Sequence, residues 1–158
     1  MAAGGAPCRT EFKAFADLGG AEFHDLLKIR FDTFVLEQRS LYPEIDGRDP
    51  GALHALVWSG PEIVATLRIL GLGAPDAPLS IGRIAVRADR RGAKLGRALV
   101  AAALFELEAR APGRTVTIGA QAHLEGFYER FGFRRSSAEY DDGGIPHIEM
   151  TLTLPVSN

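Results

Sequence analysis

A basic, glycine-bearing segment between a predicted strand and a predicted helix most constrains how this chain can fold. Residues 79–86 are typical of a strand, and residues 95–110 are predicted as a helix that is apolar on most sides. The first N–H groups of a helix have no intrahelical partners, and the helix dipole makes that end positive. Such an end, surrounded by basic side chains, is suited to hold a phosphate group. The intervening segment reads Arg90-Arg91-Gly92-Ala93-Lys94-Leu95-Gly96-Arg97. A solvated basic turn is the alternative interpretation.

The other hydrophobic patterns predict an α/β chain with a mixed sheet. The predicted strands are 8–15, 54–58, 63–70, 79–86, a strand around 116–118, one that begins at Phe133, and 148–154; the predicted helices are 21–38, 95–110 and 124–130. A tight turn at 59–62 makes the two strands that it joins antiparallel. The passage from residue 79 to residue 120 runs from a strand through a helix to another strand, and this connection implies one parallel or splayed pair of strands.

Composition narrows the possible classes of protein. The 158 residues suit one domain, with 46% hydrophobic and 24% charged residues and a net charge of −2. This charge argues against nucleic acid or a membrane surface as a partner. The single cysteine, Cys8, excludes a disulfide framework within the chain and is typical of a cytoplasmic protein. No signal peptide or membrane span is predicted, and four scattered histidines predict no metal site.

Three blocks of sequence, in this order, resemble the GNAT N-acetyltransferase superfamily and its ElaA-type branch. The blocks are Phe34-Val35-Leu36-Glu37-Gln38 with Tyr42-Pro43-Glu44-Ile45-Asp46-Gly47; Ile81-Gly82-Arg83-Ile84-Ala85-Val86 with the basic turn; and Gln121-Ala122-His123-Leu124, Phe127-Tyr128, Phe131-Gly132-Phe133 and Gly144-Ile145-Pro146-His147-Ile148. The resemblance implies one GNAT domain over residues 1–158. Its α+β fold has a mixed, mostly antiparallel sheet that is splayed in the middle and flanked by helices.

The resemblance also implies a binding site for acetyl-CoA in the splayed part of the sheet. Backbone groups of the cofactor strand bind the pantetheine, and the basic turn binds the phosphates. These positions are Ile84, Ala85, Val86, Arg91, Gly92, Ala93, Lys94, Leu95, Gly96 and Arg97. The family motif is Gln/Arg-x-x-Gly-x-Gly/Ala, in which Lys94 replaces the middle glycine. If the turn needs a positive φ there, the lysine costs about 1 kcal/mol or more.

The implied reaction is attack of a neutral amine on the acetyl thioester, for which Tyr128 matches the family's proton donor. The glutamate that many relatives carry as a base on the cofactor strand is missing, because the strand reads Ile81-Gly82-Arg83. Alternatives are a water-relayed deprotonation or one of several candidate bases: Glu37, Glu44, Asp46, His123, His147 and Glu149. We take Tyr128, His123 and Glu44 as candidate catalytic residues, and Glu37, Asp46 and His147 as candidate substrate-binding residues, whose acids would attract a cationic amine.

The sequence thus predicts an acetyltransferase that acts on a primary amine of a small molecule or peptide in a ternary complex, with a homodimer as a possible assembly. A non-catalytic acyl-CoA-binding module of the same fold is the alternative, supported by Lys94 and by the missing glutamate. One charged residue falls on the apolar stripe of the first helix, Arg30. We expect it either to extend its charged end to solvent or to pair with a carboxylate such as Glu37 or Glu44.

Overall fold

The computed structural model describes residues 7–156, and its centre is one mixed sheet. The strands are β1 (Cys8–Ala14), β2 (Leu53–Ser59), β3 (Glu62–Leu70), β4 (Leu79–Val86), β5 (Thr115–Gln121), β6 (Arg134–Arg135), β7 (Tyr140–Asp142) and β8 (Ile145–Thr153), and the helices are α1 (Gly20–Arg30), α2 (Leu95–Arg110) and α3 (Glu125–Glu129). The strand order is β1-β2-β3-β4-β5-β8-β6, with β7 paired to β8. Only the β4–β5 pair is parallel among the pairs described. The predicted α+β fold with a mixed sheet is confirmed.

Alternating side chains of the central strands place the two long helices on opposite faces of the sheet. Ala55 and Val57 of β2 belong to the apolar cluster that contains α2. Leu56, which lies between them, packs instead with Leu26 and Ile29 of α1. Successive side chains of a strand point to opposite faces, so α1 and α2 cover different faces. Both helices contact β4, the strand that leads into the basic turn.

The first helix changes its winding before it ends. The α-helical part, Gly20–Arg30, continues as π-type turns over Phe31–Glu37. The predicted helix over 21–38 is therefore confirmed in extent. Its apolar residues recur at helical spacing and predict one buried stripe that includes Phe31, but Phe31 is 36% exposed. A π-type turn holds more residues than an α-turn and so rotates the side chains that follow. Such turns are frequent at functional sites.

The parallel pair β4–β5 separates soon after it begins. Only residues 79–81 of β4 pair with residues 116–118 of β5. Farther along, β4 stays paired with β3 as far as Val86, and β5 stays paired with β8 as far as Gln121. The two strands therefore diverge beyond Ile81 and Ile118 and leave a wedge between them, as the sequence predicts.

A bulge in β4 lies at this wedge. Thr66 pairs with Ala85 and Arg68 pairs with Gly82, so Arg83 and Ile84 together face one residue of β3. Arg83 has a φ of +51°, in the left-handed region that a side chain with a Cβ rarely adopts. Bulges reorient side chains and are common next to active sites.

Two expectations about the second half of the chain need correction. The strand predicted to begin at Phe133 begins one residue later and is two short strands, β6 and β7, separated by residues 136–139. Helix α2 is apolar on most sides as predicted, but one of its apolar side chains faces solvent instead of packing against other elements, since Phe105 is 76% exposed. Among residues 7–156, no helix is both long and apolar enough to cross a lipid bilayer.

Candidate active site

Two cavities adjoin the divergent ends of β4 and β5. The first, which we call the wedge cavity, has a volume of about 340 Å³ and is lined by residues of β4 and β5, the 38–48 loop, α3 and the β7–β8 hairpin. The second, the basic cradle, has a volume of about 380 Å³. Its lining consists of Val86, Arg90, Arg91, Gly92, Lys94, Leu95, Gly96, Arg97, Phe127 and Arg130. β4 lines both cavities, so a ligand extended along this strand can reach from one to the other.

The start of α2 provides free backbone donors to the basic cradle. The Ala98 N–H donates to the Lys94 carbonyl at 3.1 Å, so the N–H groups of Leu95, Gly96 and Arg97 precede the helical hydrogen-bond ladder. Lys94 is the N-cap residue and has a φ of +59°. The turn thus does require a left-handed residue where the family motif has glycine, at a cost of about 1–2 kcal/mol for a residue with a Cβ.

The basic cradle also carries cations that the protein itself does not neutralise. Within residues 7–156, no carboxylate lies within 4.0 Å of the side-chain nitrogens of Arg90, Lys94, Arg97 or Arg130. A Cβ built on Gly92, where φ is +88°, would meet nothing within 4 Å. Open space, free N–H groups and unpaired cations fit a diphosphate group.

Arg91 and Glu37 make a contact that the sequence does not predict. The Arg91 Nε donates to the Val86 carbonyl at 3.2 Å, and its Nη1 pairs with a Glu37 carboxylate oxygen. The hydrogen bond from Arg91 lowers the pKa of Glu37. Glu37 therefore lies beside the basic cradle instead of in the wedge cavity, where its predicted role as an acceptor-binding acid would need it.

Tyr128 lies in the wedge cavity, as its predicted role requires. It is only 6% exposed and lines the cavity together with Leu124 of the preceding turn. Its ring packs edge-on against Phe127 and Phe133, with centroid distances of 5.0 and 6.1 Å. Burial raises the pKa of Tyr128 to about 12. The phenol is therefore fully protonated at neutral pH and can donate a hydrogen bond.

The two histidines with predicted roles differ in location. His147 lines the wedge cavity, and its Nδ1 lies 2.7 Å from the Ile145 carbonyl. A carbonyl only accepts hydrogen bonds, so in the neutral ring Nδ1 carries the proton and Nε2 has a free lone pair. His123 is exposed in the turn Ala122–Leu124 and lines neither cavity. The structure does not bring His123 to the site.

Glu44 and Asp46, the acids predicted to lie in the acceptor site, form ion pairs with arginines. Glu44 is 3% exposed, and its Oε1 lies 2.6 Å from the Arg30 Nε and 3.2 Å from the Arg83 Nε. Asp46 lies 2.8 Å from the Arg68 Nη2. Burial opposes ionisation of Asp46, but hydrogen bonds from Arg68 and from the Arg48 N–H outweigh it and lower its pKa. The loop that contains both acids is therefore an ion-pair network and not an open acidic wall.

Arg30 confirms one predicted partner and excludes the other. It pairs with Glu44, while Glu37 pairs with Arg91 instead. Its second carboxylate partner is Asp49, 2.7 Å away, which the sequence pattern places in a solvated loop. Asp49 is 2% exposed and also accepts from Arg68 at 3.2 Å. A basic residue within the apolar run of β3 is the sequence signal that could have indicated this network.

The splayed sheet and the cradle at the start of α2 define the class of this protein. Residues 21–154 match the family described as Acetyltransferase (GNAT) domain, and the chain belongs to this family. Its fold is that of the acyl-CoA N-acyltransferases.

Particular relatives are similar over most of the chain. The protein ElaA of Escherichia coli (strain K12) is 39% identical over 137 residues, which are 85% of this chain and 90% of ElaA. The crystal structure of Escherichia coli ElaA has a TM-score of 0.85 and 36% identity, covering 92% of this chain and 99% of that one. An acyl-CoA N-acyltransferase from Pseudomonas aeruginosa has a TM-score of 0.86 and 34% identity, with coverage of 92% and 99%.

A more distant structure shares the fold alone. An aminoglycoside 6'-N-acetyltransferase in complex with coenzyme A has a TM-score of 0.68 at 16% identity, covering 94% of this chain and 99% of that chain.

Among residues 7–156, no group of three or more His, Cys, Asp or Glu side chains could hold a metal ion.

Proposed function

We propose that this protein transfers an acetyl group from acetyl-CoA to a primary amine of a small molecule or peptide, by direct attack in a ternary complex. The observation that carries the proposal is that β4, with its edge free beyond Ile81, lines both the wedge cavity and the basic cradle. Acetyl-CoA supplies the activated acyl group as a thioester. The amine nitrogen forms a bond to the acetyl carbon as the carbon–sulfur bond breaks, and the amine loses a proton while the thiol gains one.

The β4 strand supplies the binding edge. Beyond Ile81 its side toward β5 has no strand partner, so backbone groups of Ile84 to Val86 can pair with the amide groups of an extended pantetheine arm. The Val86 carbonyl already accepts from the Arg91 Nε, which holds Arg91 beside this edge. The phosphates fit the N–H groups and cations of residues 91–97.

The wedge cavity supplies two groups that can move or hold protons. The free lone pair on the His147 Nε2 can accept the amine proton, directly or through a water molecule. The Tyr128 hydroxyl can donate a hydrogen bond to the departing sulfur. Because the pKa of Tyr128 is raised to about 12, complete proton transfer to a thiolate with an ordinary pKa near 8.5 is uphill by about 5 kcal/mol. Tyr128 therefore acts as a hydrogen-bond donor to the departing sulfur, and the thiolate gains the proton that the amine has lost, by way of His147 or a water molecule.

The test begins with a calorimetric titration of the protein with acetyl-CoA, followed by thiol release from acetyl-CoA with a library of amines. Tyr128→Phe should lower turnover with little change in acetyl-CoA affinity. His147→Gln should also lower turnover, whereas His123→Gln, an exposed position outside both cavities, should not. Failure of acetyl-CoA to bind at high micromolar concentration would sink the proposal.

A non-catalytic acyl-CoA-binding module is the second candidate. It is supported by the left-handed Lys94 and by the lack of a side chain at Gly82, which lines the wedge cavity on the strand where relatives carry a base. Saturable binding of acetyl-CoA without thiol release for any amine would favour this candidate.

A further inference from the structure

The wedge cavity carries arginines where an amine-binding cavity would be expected to carry acids. Arg48, Arg68 and Arg83 all line it. Of the carboxylates that pair with them, Glu44 and Asp49 lie behind this surface, with side chains that are 1% and 3% exposed. Asp46 is exposed beside Arg68 and Arg83 and pairs with both. Arg48 is therefore the arginine of this wall whose charge is available to an entering molecule.

Arg83 is held in this wall at a conformational cost. Its left-handed backbone in the β4 bulge is unfavourable for any residue with a Cβ. Its guanidinium lies 4.9 Å from the centre of the Tyr42 ring. Its Nε lies 3.2 Å from Glu44 Oε1, and its Nη2 makes only long contacts with the Pro43 carbonyl and Asp46, at 3.4 and 3.5 Å. A guanidinium has five N–H donors, so Arg83 retains capacity for another acceptor.

Arg48 is the least committed member of the wall. It is exposed, and within residues 7–156 its side chain has no carboxylate within 4.0 Å. Its backbone N–H donates to Asp46 at 3.0 Å, which fixes its position in the loop. A guanidinium in this situation can form a charge-assisted pair with a carboxylate that enters the cavity.

The β7–β8 hairpin brings the complementary charge to the wedge cavity. β7 and β8 contribute Asp142 and His147, and Asp142 is the one carboxylate among the described residues that line the cavity. The turn between β7 and β8 reaches the 38–48 loop, where a Cβ built on Gly143 would lie 2.9 Å from the Tyr42 ring. The cavity therefore holds cations from β4 and the 38–48 loop together with an anionic and a proton-accepting side chain from β7 and β8.

From this arrangement we infer that the acceptor is an amine that also carries a carboxylate, such as an amino acid or the free carboxyl end of a short peptide. The inference rests on the proposed function. The carboxylate pairs with Arg48 and Arg83, while the amine lies toward Asp142, His147 and Tyr128. Acids in the 38–48 loop do not attract the acceptor, because arginines already pair with them.

The first experiment uses pairs of acceptors with the same side chain, one with and one without the carboxylate, and kcat/KM is expressed for the neutral form of the amine, because the carboxylate also raises the pKa of the amine. Thiol release from acetyl-CoA is measured for a panel of amino acids with apolar, polar and charged side chains, each compared with its carboxamide. We expect kcat/KM for at least one amino acid to exceed that of its carboxamide by about 10- to 100-fold, the range of a charged hydrogen bond.

The second experiment does not depend on turnover. N-acetyl amino acids of the same panel, which are products of the proposed reaction, are titrated calorimetrically in the presence of coenzyme A against their N-acetyl carboxamides. At least one acid should bind about tenfold or more tightly than its amide. If every acid binds no better than its amide, or none binds, the inference is overturned.

Arg48→Gln is the main variant, since it removes an exposed cation and leaves no buried carboxylate unpaired. It should bring the ratio of acid to amide close to one, because kcat/KM falls more for the acid than for the amide. Arg39→Gln, an exposed arginine of the same loop that does not line the cavity, should preserve the ratio. A ratio that survives in both Arg48→Gln and a folded Arg83→Gln variant would overturn the inference.

The two proposals fail in different ways. If thiol release is as fast with amines that lack a carboxylate as with amines that carry one, the inference about the acceptor is overturned and the acetyltransferase proposal stands. Absence of acetyl-CoA binding overturns the acetyltransferase proposal itself.

Discussion

The wedge cavity and the basic cradle are both rich in arginine, but they differ in how those charges are balanced. In the wedge cavity, Arg68 and Arg83 pair with carboxylates of the same chain. In the basic cradle, no carboxylate lies within 4.0 Å of Arg90, Lys94, Arg97 or Arg130 among the described residues. Paired charges fix the shape of a wall, whereas unpaired charges provide binding energy to a ligand. Substitutions of the paired residues behind the wedge cavity should therefore act on stability, whereas substitutions of unpaired cations, Arg48 in the wedge cavity and those of the basic cradle, should act on affinity.

The largest effect should come from breaking the network behind the wedge cavity. Arg30→Met leaves Glu44 and Asp49 buried with one partner fewer, and removing one member of a buried pair costs about 3–5 kcal/mol of unfolding free energy. Chemical denaturation measures this loss. Lys28→Met on the same helix breaks only an exposed pair with Asp32 and should cost less than about 1 kcal/mol. Equal losses for both variants would contradict the distinction between the two regions.

The pH dependence of stability should report the same network. Hydrogen bonds from arginines outweigh burial and lower the pKa of Asp46 and of Asp49 in the folded protein. A lowered pKa contributes stability that is present above the ordinary aspartate pKa of about 3.9 and is lost as the pH falls toward the folded value. The unfolding free energy should therefore fall below about pH 5. Asp46→Asn should flatten this decline, and parallel curves for both proteins would count against the pairing.

In the basic cradle, the effect should appear in affinity. Arg97→Ala removes a cation without an internal partner, so we expect the dissociation constant for acetyl-CoA to rise about tenfold. The unfolding free energy should change by less than about 0.5 kcal/mol. Calorimetric titration with acetyl-CoA at two salt concentrations tests the affinity, since added salt should weaken binding by the wild-type protein more than binding by the variant. Chemical denaturation tests the stability. A stability loss comparable to that of Arg30→Met would show that the cradle is structural.

The smallest effect concerns Lys94, where strain and charge can be separated. Lys94→Ala removes the charge but keeps the Cβ, while Lys94→Gly removes both. Relief of the left-handed strain should make the glycine variant more stable than the alanine variant by about 1 kcal/mol. Both should lose acetyl-CoA affinity to a similar extent if the lysine contributes through its charge. Recovery of affinity in Lys94→Gly alone would mean that the lysine distorts the turn.

Sequence patterns predicted the features that depend on neighbouring residues. The strand before the basic turn, the helix after it and the parallel pair that it implies all follow from periodicity and connection length. The partnership of Arg30 and Glu44 was within reach, because a charge on an apolar stripe needs a partner nearby. By contrast, the burial of Asp49 depends on Arg68, which is distant in sequence and meets it only through the packing of the loop on β3.

The features of the site that the sequence did not predict also depend on tertiary structure. The left-handed Arg83 follows from a bulge in the register of β3 and β4, and register is not visible in a single strand. Acidic residues in a polar loop look like an open wall until their arginine partners are known. For this reason the site predicted to bind a cationic amine is a cavity lined by arginines. Glu44 lies within the ion-pair network, and His123 lies outside the site.

The early separation of β4 from β5 has a further consequence for self-association. Unpaired strand edges attract other polypeptides and lead to edge-to-edge aggregation when they lie at the rim of a sheet. Here an unpaired edge lies inside the sheet, in a cleft that closes where Ile81 meets Ile118. One narrow extended chain can enter such a cleft. A strand that belongs to another sheet cannot enter it, because the strands paired with it do not fit. The wedge therefore exposes backbone donors and acceptors to a slender ligand while keeping them from a second protein molecule.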